Sequence, residues 1–167
     1  HVSGLASRET VPELTGALLS CVYQSTRNSS ERTRRAARSL AEALHARFYE
    51  FDVDAIAQTY QELVSAKIGR ELTWEEDDIA LQNIQARVRS PGIWMLANLH
   101  QALLLSTSNR SEAAVGYATM DGDTSGGLSP IAGIDKAFLR QWLKWLGKHG
   151  PEGHDPVPAL AAVNAQQ

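Results

Sequence analysis

A polar, glycine-rich stretch at residues 107–127, TSNRSEAAVGYATMDGDTSGG, follows directly after the apolar run at 102–105. Thr107 and Ser108 offer hydroxyl and backbone N–H groups at a predicted helix start, an arrangement that favours anions. Glu112 lies one turn into that helix, where a lone carboxylate beside phosphate groups makes a good magnesium ligand. The stretch therefore predicts a nucleotide-and-magnesium site. The alternative interpretation is a capped helix followed by a surface turn.

The segments around this stretch alternate predicted strands with predicted helices. Apolar runs at 14–23 and 102–106 and an alternating segment at 48–53 predict three strands. Apolar residues at helical spacing predict helices over 28–44, 53–69, 79–89, 93–99 and 111–118 and from 135 onward. These strand–helix–strand units predict a three-layer α/β fold, in which a parallel sheet carries helices on both faces.

Residues at the ends of these helices predict where each one begins and ends. Asn28 is the predicted cap of the first helix, with Glu31 reaching back in a capping box. Ser90 and Pro91 predict either a stop and restart of a helix or a kink, with Pro91 tolerated in a first turn. Asp135 is the predicted cap of the last helix, whose buried face would comprise Phe138, Leu139, Trp142 and Leu146.

In parallel sheets ligands bind beyond the carboxyl ends of the strands. Two loops fall there, residues 24–28 after the first predicted strand and residues 107–127 after the third. Asp121 and Asp123 flank Gly122 in the second of these loops, which could close over a ligand. The chemistry is therefore expected in these two loops.

Composition limits the class of protein. The 167 residues suit one domain with a real core, and 43% of them are hydrophobic. A net charge of −3 gives no reason to expect a nucleic-acid or membrane partner, and neither a spanning segment nor a signal peptide is visible. The single cysteine, Cys21, indicates a reducing, cytoplasmic setting. Because the chain starts at His1 and stops at AAVNAQQ, we expect it to be part of a longer protein.

Three long segments resemble a known family. YQSTRNS, LTWEEDDIALQNIQARVR and TSNRSEAAVGYATMDGDTSGGLSPIAGIDKAFLRQWL are together similar to the synthetase domain of glutamine-dependent NAD synthetases, over about residues 14–164. The resemblance implies an N-type ATP pyrophosphatase with an adenine-nucleotide-alpha-hydrolase-like (Rossmann-like) fold. It also implies a ligase that uses ATP and Mg²⁺ to amidate deamido-NAD through an adenylated intermediate. The implied ammonia source is a fused, nitrilase-like glutaminase domain, and the implied assembly is a homodimer or higher homo-oligomer.

Matched positions give the site residues that the resemblance implies. Thr107 and Lys136 match ATP contacts, with Lys136 near the phosphates of the leaving pyrophosphate, and Glu112 matches a magnesium-linked, substrate-proximal glutamate. The matched deamido-NAD contacts are Asn83, which reaches across a dimer, and Tyr117, Ala118, Thr119 and Met120. Arg87 is a further candidate for a substrate phosphate or carboxylate, with an ion pair to Asp77 or Glu76 as the alternative. Met120 and Gly127 replace a lysine and an aspartate of the ammonia-only enzymes, which favours the glutamine-dependent branch.

Several parts of the family pattern are absent from the sequence. The phosphate-binding loop Ser-Gly-Gly-x-Asp-Ser, the strand before it, the glutaminase domain and the substrate-contacting tail are not found. We therefore expect residues 1–167 to be a partial synthetase domain, with a loop and short tail at 151–167, that is inactive alone.

Two alternatives stay open at this stage. The first is a related ATP pyrophosphatase that amidates another carboxylate. The second is a non-catalytic dimerisation fragment, in which the segment at 79–99 packs against a twin helix, since exposed apolar residues often mark an interface. The candidates for that packing are Leu81, Ile84, Val88, Trp94 and Leu99, and the same residues could instead form the core of a single chain.

Overall fold

The computed structural model describes residues 4–166, which form two compact units. The first unit comprises residues 4–51 and 139–166, and the second comprises residues 52–138. Residues 1–3 and 167 of the predicted 1–167 domain lie outside the described residues.

The first unit is built around a short parallel sheet. Its elements are α1 (Val11–Leu18), β1 (Ser20–Ser25), α2 (Glu31–Ala43), β2 (Arg47–Asp52), most of α7 (Lys136–His149) and α8 (Leu160–Asn164). The strands β1 and β2 are hydrogen-bonded in a two-stranded sheet, and α2 connects them as the crossover helix of a parallel pair. α2 packs against β1 and α8, with Ala36, Ala41 and Leu160 buried.

The predicted strand at 14–23 is wrong in its first half, because residues 11–18 form α1. Thr10 and Glu13 close a capping box there, and Pro12 lies in the first turn. These signals begin a helix in which an apolar run fits as well as it does in a strand. The strand starts only at Ser20, where β1 begins.

The start of α2 also differs from the prediction. Ser30, and not Asn28, is the N-cap, and its hydroxyl accepts a hydrogen bond from the N–H of Thr33 at 3.1 Å. Glu31 makes no capping box and instead pairs with Arg34 and Arg35 at 2.7 and 2.8 Å. Ser30 directly precedes α2, so its side chain is the one placed to accept from the first N–H groups of the helix.

The second unit is mainly helical. It contains α3 (Asp54–Ile68), α4 (Asp78–Arg87), α5 (Arg89–Leu99), α6 (Arg110–Ala114) and the first turn of α7. α3 packs against α4, and α4 against α5. Gly69 ends α3 in a left-handed conformation with φ 76°. The predicted stop and restart at Ser90 and Pro91 is present two residues earlier, as a break at Val88, and Pro91 lies in the first turn of α5.

The third strand of the predicted three-layer sheet is not present in residues 4–166. Residues 102–106 contribute a single parallel bridge, between Leu105 and Leu128, and the described sheet has two strands. The α/β class is therefore correct and the extent of the sheet is not. An apolar run becomes a strand only where neighbouring strands pair with it, and in the described part of the chain the bridge to Leu128 is the one such pairing.

The residues of the predicted interface differ in how far they are buried. Leu81 and Val88 are 2% and 5% exposed in the single chain, so the core alternative holds for both. Leu99 is 76% exposed and Ile84 is half-buried.

The predicted buried face of α7 is wrong. Phe138 and Trp142 are exposed, Leu139 and Leu146 are half-buried, and no residue of this helix is buried. Its predicted cap is confirmed, because an Asp135 carboxylate oxygen accepts from the N–H of Phe138 at 2.8 Å. Within residues 4–166, no helix has both the length and the apolar character needed to cross a membrane.

Candidate functional site

The stretch that the sequence singled out is held at both ends within the second unit. The N–H of Ser106 donates to Leu128 O, and the N–H of Gly127 donates to Leu104 O, both at 2.8 Å. Gly126 passes so close to this backbone that a Cβ on it would lie 2.7 Å from the nitrogen of Ser106. These contacts return the chain to the end of the apolar run at 102–106.

The first turn of α6 fixes the position of the Glu112 carboxylate. Asn109, and not Thr107 or Ser108, is the N-cap: its side-chain oxygen accepts from the N–H of Glu112 at 3.1 Å. Glu112 Oε2 in turn accepts from the N–H of Asn109 at 3.3 Å, which completes a capping box. The Asn-x-x-Glu spacing in the sequence is a signal that could have identified this cap.

Glu112 is also paired with a cation. Lys136 Nζ donates to Glu112 Oε1 at 3.2 Å, and the N–H of Lys136 donates to the hydroxyl of Ser111 at 3.0 Å. Partial burial raises the pKa of Glu112, but the hydrogen bonds from Lys136 and from Asn109 outweigh it and hold that pKa below its usual value. Glu112 is therefore an ionised carboxylate at neutral pH, beside a lysine that the sequence predicted at the same site.

Residues from α4 complete the arrangement. The hydroxyl of Thr119 donates to the side-chain oxygen of Asn83 at 2.9 Å. Arg87 Nε donates to the carbonyl oxygen of Met120 at 3.1 Å. Both predicted alternative partners of Arg87 lie instead beside Arg70, Asp77 at 2.7 Å and Glu76 at 3.8 Å. α4 thus holds the chain around residues 119–120 by two separate hydrogen bonds.

A cavity of about 960 Å³ lies among these residues in the second unit. It brings together six of the nine predicted site residues: Asn83, Thr107, Glu112, Tyr117, Ala118 and Thr119. Lys136, Arg87 and Met120 are not among its lining residues, although each contacts the site through the bonds described above. Ser108, Arg89 and Asp123 line the cavity too.

The cavity lining suits a polar, charged ligand. It presents hydroxyls from Thr107 and Thr119, the amide of Asn83 and the ring of Tyr117. It also presents the carboxylates of Glu112 and Asp123, and Lys136 is hydrogen-bonded to the first of these. Tyr117 is 74% exposed, so its ring is available to stack on a planar group. Among residues 4–166 no group of three or more His, Cys, Asp or Glu side chains could hold a metal ion by itself.

Comparisons of sequence support one family. The sequence profile of NAD synthase matches residues 5–160. The glutamine-dependent NAD(+) synthetase of Aquifex aeolicus is 34% identical over 131 residues, which cover 78% of this chain and 22% of that protein. The protein of the same description from Oryza sativa subsp. indica is 33% identical over 151 residues, covering 82% of this chain and 20% of its own length.

Comparison of structures agrees. The crystal structure of a glutamine-dependent NAD(+) synthetase from Cytophaga hutchinsonii has a TM-score of 0.84 and 51% identity, covering 93% of this chain and 26% of that one. The Acinetobacter baumannii glutamine-dependent NAD+ synthetase in complex with ADP has a TM-score of 0.71 at 23% identity, over 83% of this chain and 26% of that one, and supports the fold alone. The chain spans about a fifth to a quarter of the length of these relatives.

Proposed function

The chain belongs to the NAD synthase family, and from this premise we propose that its cavity binds deamido-NAD in a NAD synthetase. The observation that carries the proposal is the meeting of Asn83, Glu112, Tyr117 and Thr119 around one cavity. Asn83 comes from α4 and the other three from residues 112–119, and the family resemblance associates all four with the dinucleotide.

The proposed reaction has two steps. The nicotinate carboxylate attacks the α-phosphorus of ATP, so that an acyl–adenylate forms and pyrophosphate leaves. Ammonia then attacks the acyl carbon, AMP leaves, and the amide of NAD remains. In the first step we assign Thr107 and Lys136 to the ATP phosphates, where the positive charge of Lys136 stabilises the departing pyrophosphate.

Glu112 fits a role as one magnesium ligand. Its carboxylate is ionised and partly exposed, and its two oxygens each accept one hydrogen bond, which leaves lone pairs for a cation. Magnesium in such sites is held by one or two carboxylates together with substrate phosphates, so a single glutamate here is consistent with the ion. When bound, magnesium would neutralise charge on the phosphates. Glu112 itself is oriented by Asn109 and Lys136.

Asn83 is proposed as a further contact of the ligand. It lines the same cavity as Glu112, and the resemblance implies that it reaches deamido-NAD across a dimer. We therefore propose that both residues contact a single dinucleotide at this cavity. Thr119 holds the Asn83 oxygen, so the amide NH₂ of Asn83 remains the group that would donate to the ligand.

The source of ammonia and the cellular setting are also proposed. We infer that ammonia comes from glutamine hydrolysed in a further domain, because the relatives at 33–34% identity are described as glutamine-dependent. A reducing, cytoplasmic setting is proposed from the single cysteine, Cys21.

We propose a homodimer that uses the exposed side of α5. Leu81 is buried in its own chain and cannot serve, but Met95 and Leu99 are 64% and 76% exposed. Leu99→Arg would place an unpaired charge in such an interface and should convert the dimer to a monomer in light scattering. His100→Arg, which adds a charge at the neighbouring exposed position, is the comparison variant. An unchanged dimer for Leu99→Arg would assign the interface elsewhere.

Activity is tested with the protein encoded by the complete gene, because this chain covers a fraction of the relatives. NAD formation from deamido-NAD, ATP, Mg²⁺ and ammonia is the expected result. Amidation of a different nucleotide would contradict the substrate.

The Glu112→Gln variant tests the site within that protein. It keeps the shape of the side chain and removes its charge, so turnover should fall roughly a hundredfold, about 3 kcal/mol of transition-state stabilisation. The matched control is Glu62→Gln, which removes an exposed carboxylate from α3. Full activity with an unchanged magnesium requirement in Glu112→Gln would leave Glu112 with a capping role alone.

A further inference from the structure

The cavity-lining residues Tyr117, Ala118 and Thr119 lie in a segment without helix or strand. Between the end of α6 and the bridge at Leu128 the chain forms a succession of turns. Such a segment has no ladder of backbone hydrogen bonds, so individual side-chain contacts fix its position. Contacts made at the end of this segment therefore help to fix the position of residues 117–119, which line the cavity.

Three side chains meet at Ser125, near the end of this segment. Trp94 Nε1 donates to the Ser125 hydroxyl oxygen at 2.7 Å, and the Ser90 hydroxyl lies 2.6 Å from the same oxygen. An indole N–H can only donate, so Ser125 is the acceptor of the Trp94 bond. Ser90 and Trp94 both belong to α5, which makes this helix the support for position 125.

Consecutive turns connect Ser125 to the cavity. The N–H of Ser125 donates to Gly122 O at 3.0 Å, and the N–H of Gly122 donates to Thr119 O at 3.1 Å. Asp123 adds a bond from the N–H of Thr119 to its carboxylate at 3.1 Å. A shift of Ser125 is therefore transmitted by short, bonded turns to Thr119, whose hydroxyl contacts Asn83.

Close packing makes these turns intolerant of displacement. A Cβ on Gly122 would lie 2.9 Å from the backbone carbon of Ala86, so this turn lies directly on α4. Asp121 has a left-handed φ of 60°, which is uncommon for a residue with a side chain. Conformations of this kind persist where the surroundings hold them in place.

We propose that Ser125, held by Trp94 and Ser90, is a positioning residue that sets the geometry of residues 117–119 for the bound dinucleotide. The proposal rests on the proposed function, because it assigns the cavity to deamido-NAD. Ser125 does not line the cavity, so it acts through Thr119 and Asn83. No contact between Ser125 and the ligand is required.

The experiment uses the protein encoded by the complete gene, with deamido-NAD binding measured by calorimetry at a temperature where every variant is folded. Ser125→Ala and Trp94→Phe each remove one side of the Trp94–Ser125 bond. Each should raise Kd about fivefold, the equivalent of about 1 kcal/mol for one hydrogen bond. Ser125→Thr retains the hydroxyl and should restore most of the affinity. Trp74→Phe, at another exposed indole of the same unit, is the control and should leave Kd unchanged.

A double-mutant cycle sharpens the result. If the two side chains act through one bond, Ser125→Ala combined with Trp94→Phe should weaken binding no more than either single change. A role in stability alone would lower the unfolding midpoint but leave the Kd of the folded chain unchanged. Wild-type Kd in Ser125→Ala would therefore overturn the proposal, and so would fully additive losses in the double variant.

Hydrogen exchange separates this proposal from the proposed function. In the ligand-free chain, Ser125→Ala should speed exchange of the amides at 117–123 and leave those of α3 unchanged. Should the wild-type protein from the complete gene fail to bind deamido-NAD, the assigned ligand would be wrong, and the exchange result would still decide whether Ser125 positions the segment. Unchanged exchange at 117–123 would overturn the positioning role.

Discussion

Replacement of Gly126 by alanine is expected to disrupt the point where residues 107–127 return to the end of the apolar run. The new Cβ would lie 2.7 Å from Ser106 N and 3.2 Å from both Leu104 O and the backbone carbon of Leu105. All three are backbone atoms, so no side-chain rotation can relieve the overlap. Gly126 also has a φ of 156°, a conformation that residues with a Cβ rarely adopt.

The cost follows from the two ways in which the chain could respond. If the backbone stays in place, alanine takes a strained conformation that costs of order 1–3 kcal/mol, in addition to the overlap. If the backbone moves away, the two bonds at 2.8 Å between residues 104–106 and 127–128 are lost, at about 1 kcal/mol each. Either response gives a loss of about 2–4 kcal/mol in the free energy of unfolding of the second unit.

Urea denaturation followed by tryptophan fluorescence measures this loss. Gly133→Ala is the matched control, since a Cβ at Gly133 would meet nothing within 4 Å. That control should change the free energy of unfolding by less than about 0.5 kcal/mol, as is usual for a surface substitution. A Gly126→Ala variant as stable as Gly133→Ala would refute the close approach of Gly126 to Ser106. If the cavity binds deamido-NAD as proposed, Gly126→Ala should weaken that binding and Gly133→Ala should not.

Two further predictions concern the helices that support the site. Leu81→Ala should lower the free energy of unfolding by roughly 2–5 kcal/mol in urea, as expected for a leucine buried in its own chain, while Ile79→Ala, at a 70%-exposed position of α4, should change it little. The hydrogen bond from Arg70, followed by that from the Thr73 N–H, lowers the pKa of Asp77 to about 2, so its contribution is complete above about pH 4 and is lost as the pH falls toward 2. The difference in unfolding free energy between wild type and Asp77→Asn should therefore shrink across that interval, and a constant difference from pH 5 to pH 2 would contradict the assigned ion pair.

Local signals in the sequence were sufficient for most of the helices. The left-handed Gly69, the cap at Asp135 and the first-turn Pro91 each act on the few residues beside them. Such features depend on backbone conformations and hydrogen bonds within one turn, which neighbouring residues determine. The capping residues themselves were harder to choose where several candidates are adjacent, as with Asn28 and Ser30, or with Thr107, Ser108 and Asn109.

The sequence by itself also determined the family, because 107–127 carries a long specific pattern, and it pointed to the stretch that supplies most of the residues lining the cavity. Tertiary structure decided which residues meet there. Thr119 and Asn83 are 36 positions apart, and Trp94 and Ser125 are 31 apart, yet each pair is within hydrogen-bonding distance. It also buried Leu81 and reduced the expected third strand to one bridge at Leu105. Hydrophobic periodicity indicates which face of a helix or strand is buried. The segment that packs against that face depends on how distant parts of the chain come together, and no single segment contains that information.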